Sequence, residues 1–560
     1  MKQKKYHNFL PLIISLSVVV GIILGTFYAS YFRSNRLNIF SSGNSKINDL
    51  LYAIEDRYVD TVNMNDLIEG ALPRILSELD PHSTYTSAKK VEEEMQGLKG
   101  SFSGIGVIFS IIDDTARIIR VVPGGPSEDT GLMAGDRIVS VDGKSFVGKF
   151  LDEDYAMKAL RGQDKSKVRL GIKRSGTKGT RTYEVIRGAV PVKTVDIYAM
   201  ISDETGYIKI SSFGENTYEE FLVALAELSS HGCKSLIIDL RDNGGGYMEA
   251  AVRIANQFLP KNRMIVYTQG RKSERMDYRS DGRGDYQNIP LVVVVNENTA
   301  SASEIFTAAI QDNDRGTIVG LRTFGKGLVQ EPIQFADGSL LKLTIARYYS
   351  PSGRCLQKPY VPGENESYQN DLYSRYLKGE FSTQDSIHMY GKKYHTLIGR
   401  TVYGGGGIMP DVFIPTDTTD ITSYLMEAVA SRRLAEFAYQ YADRNRQKLS
   451  DMQDWEKLEN YLKRQNLVGQ FATYAEKKGQ KRRNLLIKKS YKRLDTALTG
   501  NVINYIFGDE ASALYQCQYD KSVKEALRLI DRHQTFPQKP DKKAGNGPAW
   551  LNGNHAKTAK

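Results

Sequence analysis

The sequence predicts a multidomain α+β chain, and three observations carry that expectation. Between Gly97 and about Arg187, short alternating apolar runs are separated by glycine-rich turns, as in GSFSGIGVIFSI and PGGPSEDTGLMAGDRIVSVDG, which is the pattern of a β unit. From Pro191 to Gln330, strand-like runs alternate with helix-like ones, which predicts an α/β unit whose sheet is at least partly parallel. From Ser423 to about Arg532, amphipathic segments rich in Glu, Lys, Arg, Leu and Tyr predict successive helices, without heptads or internal repeats. At 560 residues the chain is long enough for each part to bury its own core.

In chain order, Lys2, Lys4 and Lys5 precede an uncharged run from Phe9 to Phe32, which Arg33 and Arg36 close. The run is long enough to span a bilayer and longer than a signal-peptide apolar region, and no small-x-small cleavage site follows it. It predicts a single-pass inner-membrane anchor rather than a cleaved signal. The basic extreme N-terminus is then cytoplasmic and the body lies on the periplasmic or extracytoplasmic side. From Ile47 to Leu79, INDLLYAIEDRYV and LIEGALPRILSEL predict two or three short helices ending at the turn DPHS. His82 lies there between Asp80 and Ser83, but neighbours in sequence do not make a triad, so it is read as structural.

The formal net charge is +11, with 25% charged and 41% hydrophobic residues. The basic residues are spread and no nucleic-acid motif accompanies them, so a solvated basic surface is expected and no nucleic-acid partner. Cys233, Cys355 and Cys517 are far apart, odd in number and at no metal-ligand spacing, which excludes a disulfide framework. His388 and His395 lack metal partners at useful spacing, and no metal or cofactor is expected. Gly363 to Arg400 reads as a polar, irregular excursion from the core.

Chemistry concentrates between Asn298 and Gln330. Leu291–Val295 is a short, fully apolar, β-branched run that predicts a buried strand, and Ser303–Gln311 predicts a helix. Ser301 stands at the turn between them, facing the orphan N–H groups and positive dipole end of that helix. Lys326 lies between Gly325 and Gly327, and a buried amine there can be neutral near pH 7 and act as general base for a serine. The plainer reading of the same residues makes Ser301 a helix N-cap and Lys326 a solvated loop residue. Glu304 suits the first helical turn electrostatically, and Asp312 reads as helix-end structure. The glycine loop in RDNGGGYMEAA lacks GxxxxGK[ST] and does not read as a phosphate cradle.

TASASEIFTAAIQD followed by TFGKGLVQ resembles the active-site signature of the C-terminal processing peptidases, or tail-specific proteases, and KLTIARYYSPSGRCLQ and GGGGIMPDVFI match that family's downstream pattern. The resemblance implies Ser301 as nucleophile, Lys326 as its base and Gln330 as the residue that orients the base. It also implies that DLRDNGGG supplies an oxyanion-hole N–H, assigned to Gly245 with Gly244 as the alternate, and that Ala302 N–H supplies the second. The β unit resembles a PDZ domain in its circularly permuted bacterial form. That likeness makes Ser103, Gly104, Ile105 and Gly106 a carboxylate loop, Val107 to Phe109 the receiving strand edge, and Asp154 to Leu160 the other groove wall.

The implied architecture is a cytoplasmic N-terminus (1–8), the anchor or signal segment (9–32) and an N-terminal helical region (33–96). A PDZ domain (97–190), an α/β core of the crotonase/ClpP-like kind (191–422), a helical C-terminal region (423–535) and a disordered tail (536–560) follow. The expected activity is that of a serine endopeptidase acting on polypeptides with accessible C-termini. A homo-oligomer or regulatory partner is compatible with the helical region. The competing expectation is a catalytically inactive PDZ-containing scaffold. A Ser-His-Asp hydrolase would need a G-x-S-x-G elbow, which is absent.

Overall fold

The computed structural model describes residues 15–26, 43–96, 99–387 and 391–539. The chain divides into two compact units, Met1–Leu76 and Ser77–Lys560. The first holds a helix over 15–26, helix α1 (Gly43–Arg57) and most of α2 (Met64–Ser77). The expected single-pass inner-membrane anchor is corrected: among the described residues no helix is long and apolar enough to cross a membrane. Within the apolar run, the helix over 15–26 rises about 18 Å, against a hydrocarbon core of about 30 Å. Lys2, Lys4, Lys5, Arg33 and Arg36, on which the orientation rested, lie outside the described residues. So do Gly97, His388 and the part of the expected tail from residue 540 onward.

In the second unit, β1 (Thr84–Thr86) precedes the PDZ-like part. That part comprises β2 (Ser101–Gly104), β3 (Val107–Ile112), β4 (Thr115–Val121), β5 (Arg137–Val141), α3 (Glu153–Leu160), β6 (Lys167–Lys173), β7 (Arg181–Ile186) and β8 (Gly188–Pro191). Strands β3-β4-β5-β6-β7 form an antiparallel sheet with β3 at its edge, and β2 pairs with β8. Helix α3 is capped by Asp152, whose side chain accepts from Tyr155 N. It sets Ala156 and Leu160 into a core with Ile118, Ile138, Val168 and Leu170.

The α/β core follows as β9 (Val195–Met200), β10 (Thr205–Ile210), α4 (Thr217–Ser230), β11 (Ser235–Asp239), α5 (Met248–Asn256), β12 (Met264–Gln269) and β13 (Met276–Arg279). Then come β14 (Leu291–Val295), α6 (Ala302–Asp312), β15 (Thr317–Gly320), β16 (Leu328–Gln334), β17 (Leu340–Tyr349) and β18 (Val412–Phe413). The main sheet runs β9-β10-β11-β14-β15-β18, parallel except at β9/β10. A strand in the middle of a parallel sheet is covered on both faces, which is why LVVVV is apolar at every position. Leu291, Val293 and Val295 pack in one cluster with α4, α5 and α6. Val292 and Val294 meet Val523, Ala526 and Leu529 of the helix Lys521–Asp531 on the other face.

All eleven residues of α6 are buried. Phe306 sits at its centre, ring to ring with Phe258 at 6.1 Å. Phe306→Ala is expected to cost about 3–5 kcal/mol of stability. Denaturant unfolding checks this, and a loss below about 1 kcal/mol would contradict this packing.

A second, antiparallel sheet carries β1 and β12 on one edge of β17 and β16 on the other. The β16/β17 register shifts between Val329 and Gln330: Val329 faces Ala346 but Gln330 faces Thr344, so Ile345 is an extra residue. Such a bulge re-aims the side chains beside it. The helical region, from Ser423–Ala430 to Lys521–Asp531, has its own apolar cluster. It meets the PDZ-like part through Lys478 with Asp113, Arg120 with Asp509, and Arg432 with Glu153.

Candidate active site

Ser301 is the N-cap of α6 with φ 57° and ψ −116°, a conformation that L-residues adopt only when their surroundings impose it. Thr299 Oγ1 donates to Leu240 O at 2.8 Å and Ala300 N to Asn243 O at 3.0 Å, pinning the turn to the chain beyond β11. A Cβ at Gly245 would stand 2.7 Å from Ser301 Cβ, so only glycine allows this approach. Ser303 Oγ is buried and donates to Asn243 O at 3.0 Å, which gives that hydroxyl a structural post.

Glu304 ties this turn to the lysine loop. One carboxylate oxygen accepts from Ser301 N at 3.0 Å and Lys326 N at 2.8 Å, the other from Thr323 Oγ1 at 2.5 Å and Gly325 N at 2.8 Å. The side chain is fully buried; burial pushes its pKa up while these donors pull it down. The expectation that Glu304 merely complements a helix dipole therefore understates it. It is the buried joint between two loops that sequence places apart.

The lysine loop has a second support behind it. Gly327 N donates to Gln357 Oε1 at 2.8 Å, and Lys358 N to Gly325 O at 2.9 Å. Lys358 Nζ lies 3.9 Å from the Phe324 ring centre and 4.1 Å from that of Tyr368 and pairs with Asp371 at 2.9 Å. Arg375 is buried and donates to Arg322 O at 2.7 Å and Thr323 O at 3.2 Å. The expected irregular excursion thus holds two short helices, Asn365–Gln369 and Asp371–Leu377, and braces the loop.

Lys326 Nζ forms no hydrogen bond or ion pair with any described residue. Burial, then Lys342, pushes its pKa below the ordinary lysine value, against Glu304 and Asp80. An amine removed from water without a partner is favoured in its neutral form. Ser301 Oγ and Lys326 Nζ are not hydrogen-bonded to each other.

Gln330 Nε2 donates to Thr344 Oγ1 at 3.3 Å, and Thr344 Oγ1 donates to Asp80 Oδ1 at 3.0 Å. The DPHS turn, read from sequence as the end of the N-terminal helices, lies against β17. Asp80 Oδ1 also accepts from His82 N at 2.8 Å and Ser83 N at 2.9 Å, and Ser83 Oγ accepts from Thr344 N at 3.1 Å. His82 Nε2 meets Tyr368 OH at 2.8 Å. Burial and the neighbouring Lys326 push its pKa down to about 4, with Asp80 opposing and Lys358 assisting. The imidazole is neutral at physiological pH, held as a wall of the lysine's surroundings.

The two amides expected at the oxyanion position differ in whether they are free. Among the described residues Ala302 N has no hydrogen-bond acceptor, and it lies beside Gly245. Gly245 N, however, donates to Asn243 Oδ1 at 2.9 Å, so that N–H is already engaged. The N–H groups of Gly244 and Gly246 have no acceptor among the described residues. Three consecutive glycines hid this register from sequence. Asp312 is structural as expected: it forms a buried pair with Arg354 at 2.7 Å.

At the PDZ-like loop, Ser103 and Gly104 belong to β2 and pair with Ala189 and Gly188, and Ser103 Oγ donates to Gly162 O at 2.8 Å. Ile105 is buried, Gly106 has φ 72°, and Val107 opens the edge strand β3. The amides of Ile105 and Gly106 have no acceptor among the described residues. Consecutive unengaged N–H groups at a tight turn form a concavity suited to a carboxylate.

Residues 204–364 match the model of peptidase family S41, residues 117–174 that of a PDZ domain, and residues 424–508 that of a family of unknown function, DUF8443. The chain is 32% identical over 320 residues to the carboxy-terminal-processing protease of Bartonella bacilliformis, covering 56% of this chain and 72% of that one. It is 32% identical over 360 residues to the carboxy-terminal processing protease CtpA of Bacillus subtilis, covering 62% and 76%. Among solved structures, the photosystem II D1 C-terminal processing protease aligns at 26% identity over 68% of this chain and 95% of that one, with a TM-score of 0.34. Matches of this identity and coverage, over a chain that carries both a PDZ domain and the S41 region, mean that it belongs to peptidase family S41, the carboxy-terminal processing serine proteases.

Proposed function

We propose that the chain is an endopeptidase that takes polypeptides by their C-termini and cleaves them with a Ser301/Lys326 dyad. The observation that carries this reading is the Glu304 joint. It binds the N–H groups of Ser301 and Lys326 to one carboxylate oxygen, fixing the backbone of a strained serine relative to that of a half-buried lysine. Neutral Lys326 takes the Ser301 Oγ proton as the oxygen attacks the scissile carbonyl. The tetrahedral oxyanion rests on Ala302 N–H and on an unengaged N–H of the Gly244–Gly246 turn, where each donor is worth about 2.7–4 kcal/mol. Protonated Lys326 gives its proton to the leaving amine, and a water activated by the regenerated amine hydrolyses the acyl-enzyme. Catalytic contacts that are open in a resting enzyme commonly tighten when substrate binds, and the Ser301–Lys326 bond is of that kind. Gln330 orients the amine.

The substrate tail would lie along β3, opposite α3, with its terminal carboxylate on the Ile105 and Gly106 amides and its backbone extending the sheet edge. The test is cleavage of an unfolded polypeptide with an apolar tail, offered with a free and with an amidated C-terminus. Amidation is expected to lower kcat/KM about tenfold or more, from loss of charge-assisted hydrogen bonds. Equal rates would refute tail docking. No cleavage of either form, despite tail binding, would favour a peptide-binding scaffold.

A further inference from the structure

We propose that Asp80 is a positioning residue for catalysis: its carboxylate, acting through Thr344, fixes which end of the Gln330 amide faces the lysine. This rests on the Ser301/Lys326 reading above.

The argument is one of donor count. Asp80 Oδ1 is a carboxylate oxygen and can only accept, so at 3.0 Å the single hydroxyl proton of Thr344 points to it. Thr344 Oγ1 is then left with lone pairs alone towards Gln330. At 3.3 Å the Gln330 amide must present its NH2 there. Its Oε1, which has no donor among the described residues, is thereby left as the acceptor for an amine. Reverse the amide and two acceptors would face each other across that contact. Without the carboxylate, the Thr344 proton could turn to Gln330 and the amide could flip, offering NH2 where a lone pair is wanted.

The backbone supports this arrangement. The bulge at Ile345 is what puts Thr344 opposite Gln330, and in regular register Ile345 would stand there instead. Asp80 is buried, and the N–H groups of His82 and Ser83 and the Ser83 hydroxyl hold it in place. Ser83 Oγ in turn accepts from Thr344 N, so the DPHS turn grips the same residue by side chain and backbone.

Asp80 also faces the amine electrostatically. The groups around Lys326 are Lys342 on β17, Glu304 on α6, and Asp80 and His82 on the turn, with Lys358 beyond His82. Lys342 pushes the Lys326 pKa down, while Glu304 and Asp80 push it up. Removing the Asp80 charge should therefore lower it, making the amine neutral at a lower pH. Loss of the relay and loss of the charge thus have separable signatures.

The experiment compares the full-length wild type with Asp80→Asn, Thr344→Val, Thr344→Ser and Lys326→Ala, measuring kcat, KM and the pH dependence of kcat. Thermal melting confirms that each variant is folded. Lys326→Ala tests the underlying reading, and if it retained activity both that reading and the relay would fall. With Lys326→Ala inactive, Asp80→Asn is expected to lower kcat about 10–100-fold with KM nearly unchanged, and to move the rising pH limb to lower pH. Thr344→Val, which keeps the charge, is expected to lower kcat similarly and leave the limb in place, and Thr344→Ser to restore most of the rate. Should Asp80→Asn fail to fold, the Thr344→Val and Thr344→Ser pair decides alone. Wild-type kcat in a folded Thr344→Val, or an unmoved limb in a folded Asp80→Asn, would overturn the proposal.

Discussion

Lys326→Ala and Ser301→Ala are each expected to lower kcat/KM roughly 10⁴-fold or more, the scale seen when a serine hydrolase loses its nucleophile or base, with the folded state intact. Neither side chain belongs to the apolar core, so melting temperatures should change little. The wild type carries the more discriminating signature. Burial and Lys342 depress the Lys326 pKa, so the neutral, proton-accepting fraction grows as pH rises through that depressed value. Activity should therefore climb with pH along a limb centred below the roughly 10.4 of a free lysine. A limb near 10.4, or a rate independent of pH from about 6 to 10, would refute the general-base role.

Glu304→Ala is expected to be nearly as damaging to activity and far more damaging to the fold. It strips the acceptor from three backbone N–H groups and the Thr323 hydroxyl, two of these contacts buried and two partly buried. A buried donor left unsatisfied costs about 1–3 kcal/mol, so a loss of several kcal/mol follows even if water fills part of the gap. Glu304→Gln separates shape from charge: its NH2 would confront two of the four donors, so it too should loosen the loops. Measured by denaturant unfolding and by kcat on the folded fraction, Glu304→Gln should lose both stability and turnover. Wild-type behaviour would mean that the two loops are held together by something other than this carboxylate.

Much of the architecture could be read directly. LVVVV announced a buried strand, the alternation from Pro191 onward an α/β unit with a partly parallel sheet, and the glycine-punctuated runs a PDZ-like unit. Ser301 at a strand–helix turn followed from local pattern. The long-range pieces could not be read. An acidic residue in a helix's first turn looks the same whether it caps that turn or, like Glu304, also collects donors from a loop some twenty residues on. Asp80 and Thr344 are 264 positions apart, and only the β1/β17 pairing brings them together. The engaged amide of Gly245 turned on the register of three identical residues. At the N-terminus, hydropathy over Phe9–Phe32 suggested a span that the described helix is too short to make.

The packing of Val523, Ala526 and Leu529 against Ile237, Val292, Val294 and Val319 has a consequence for how the protein is made. The main sheet has one face closed by helices encoded between its own strands. Its other face is closed by a helix encoded far downstream, anchored where Asp520 pairs with Arg241 at 2.6 Å. A nascent chain can assemble the sheet on the ribosome, but a stripe of β-branched side chains stays wet until the helical region has emerged. Contacts this distant in sequence form late, and the waiting surface is sticky. Until then the protease core would be covered on one face alone, with the kind of exposed apolar surface that chaperones bind.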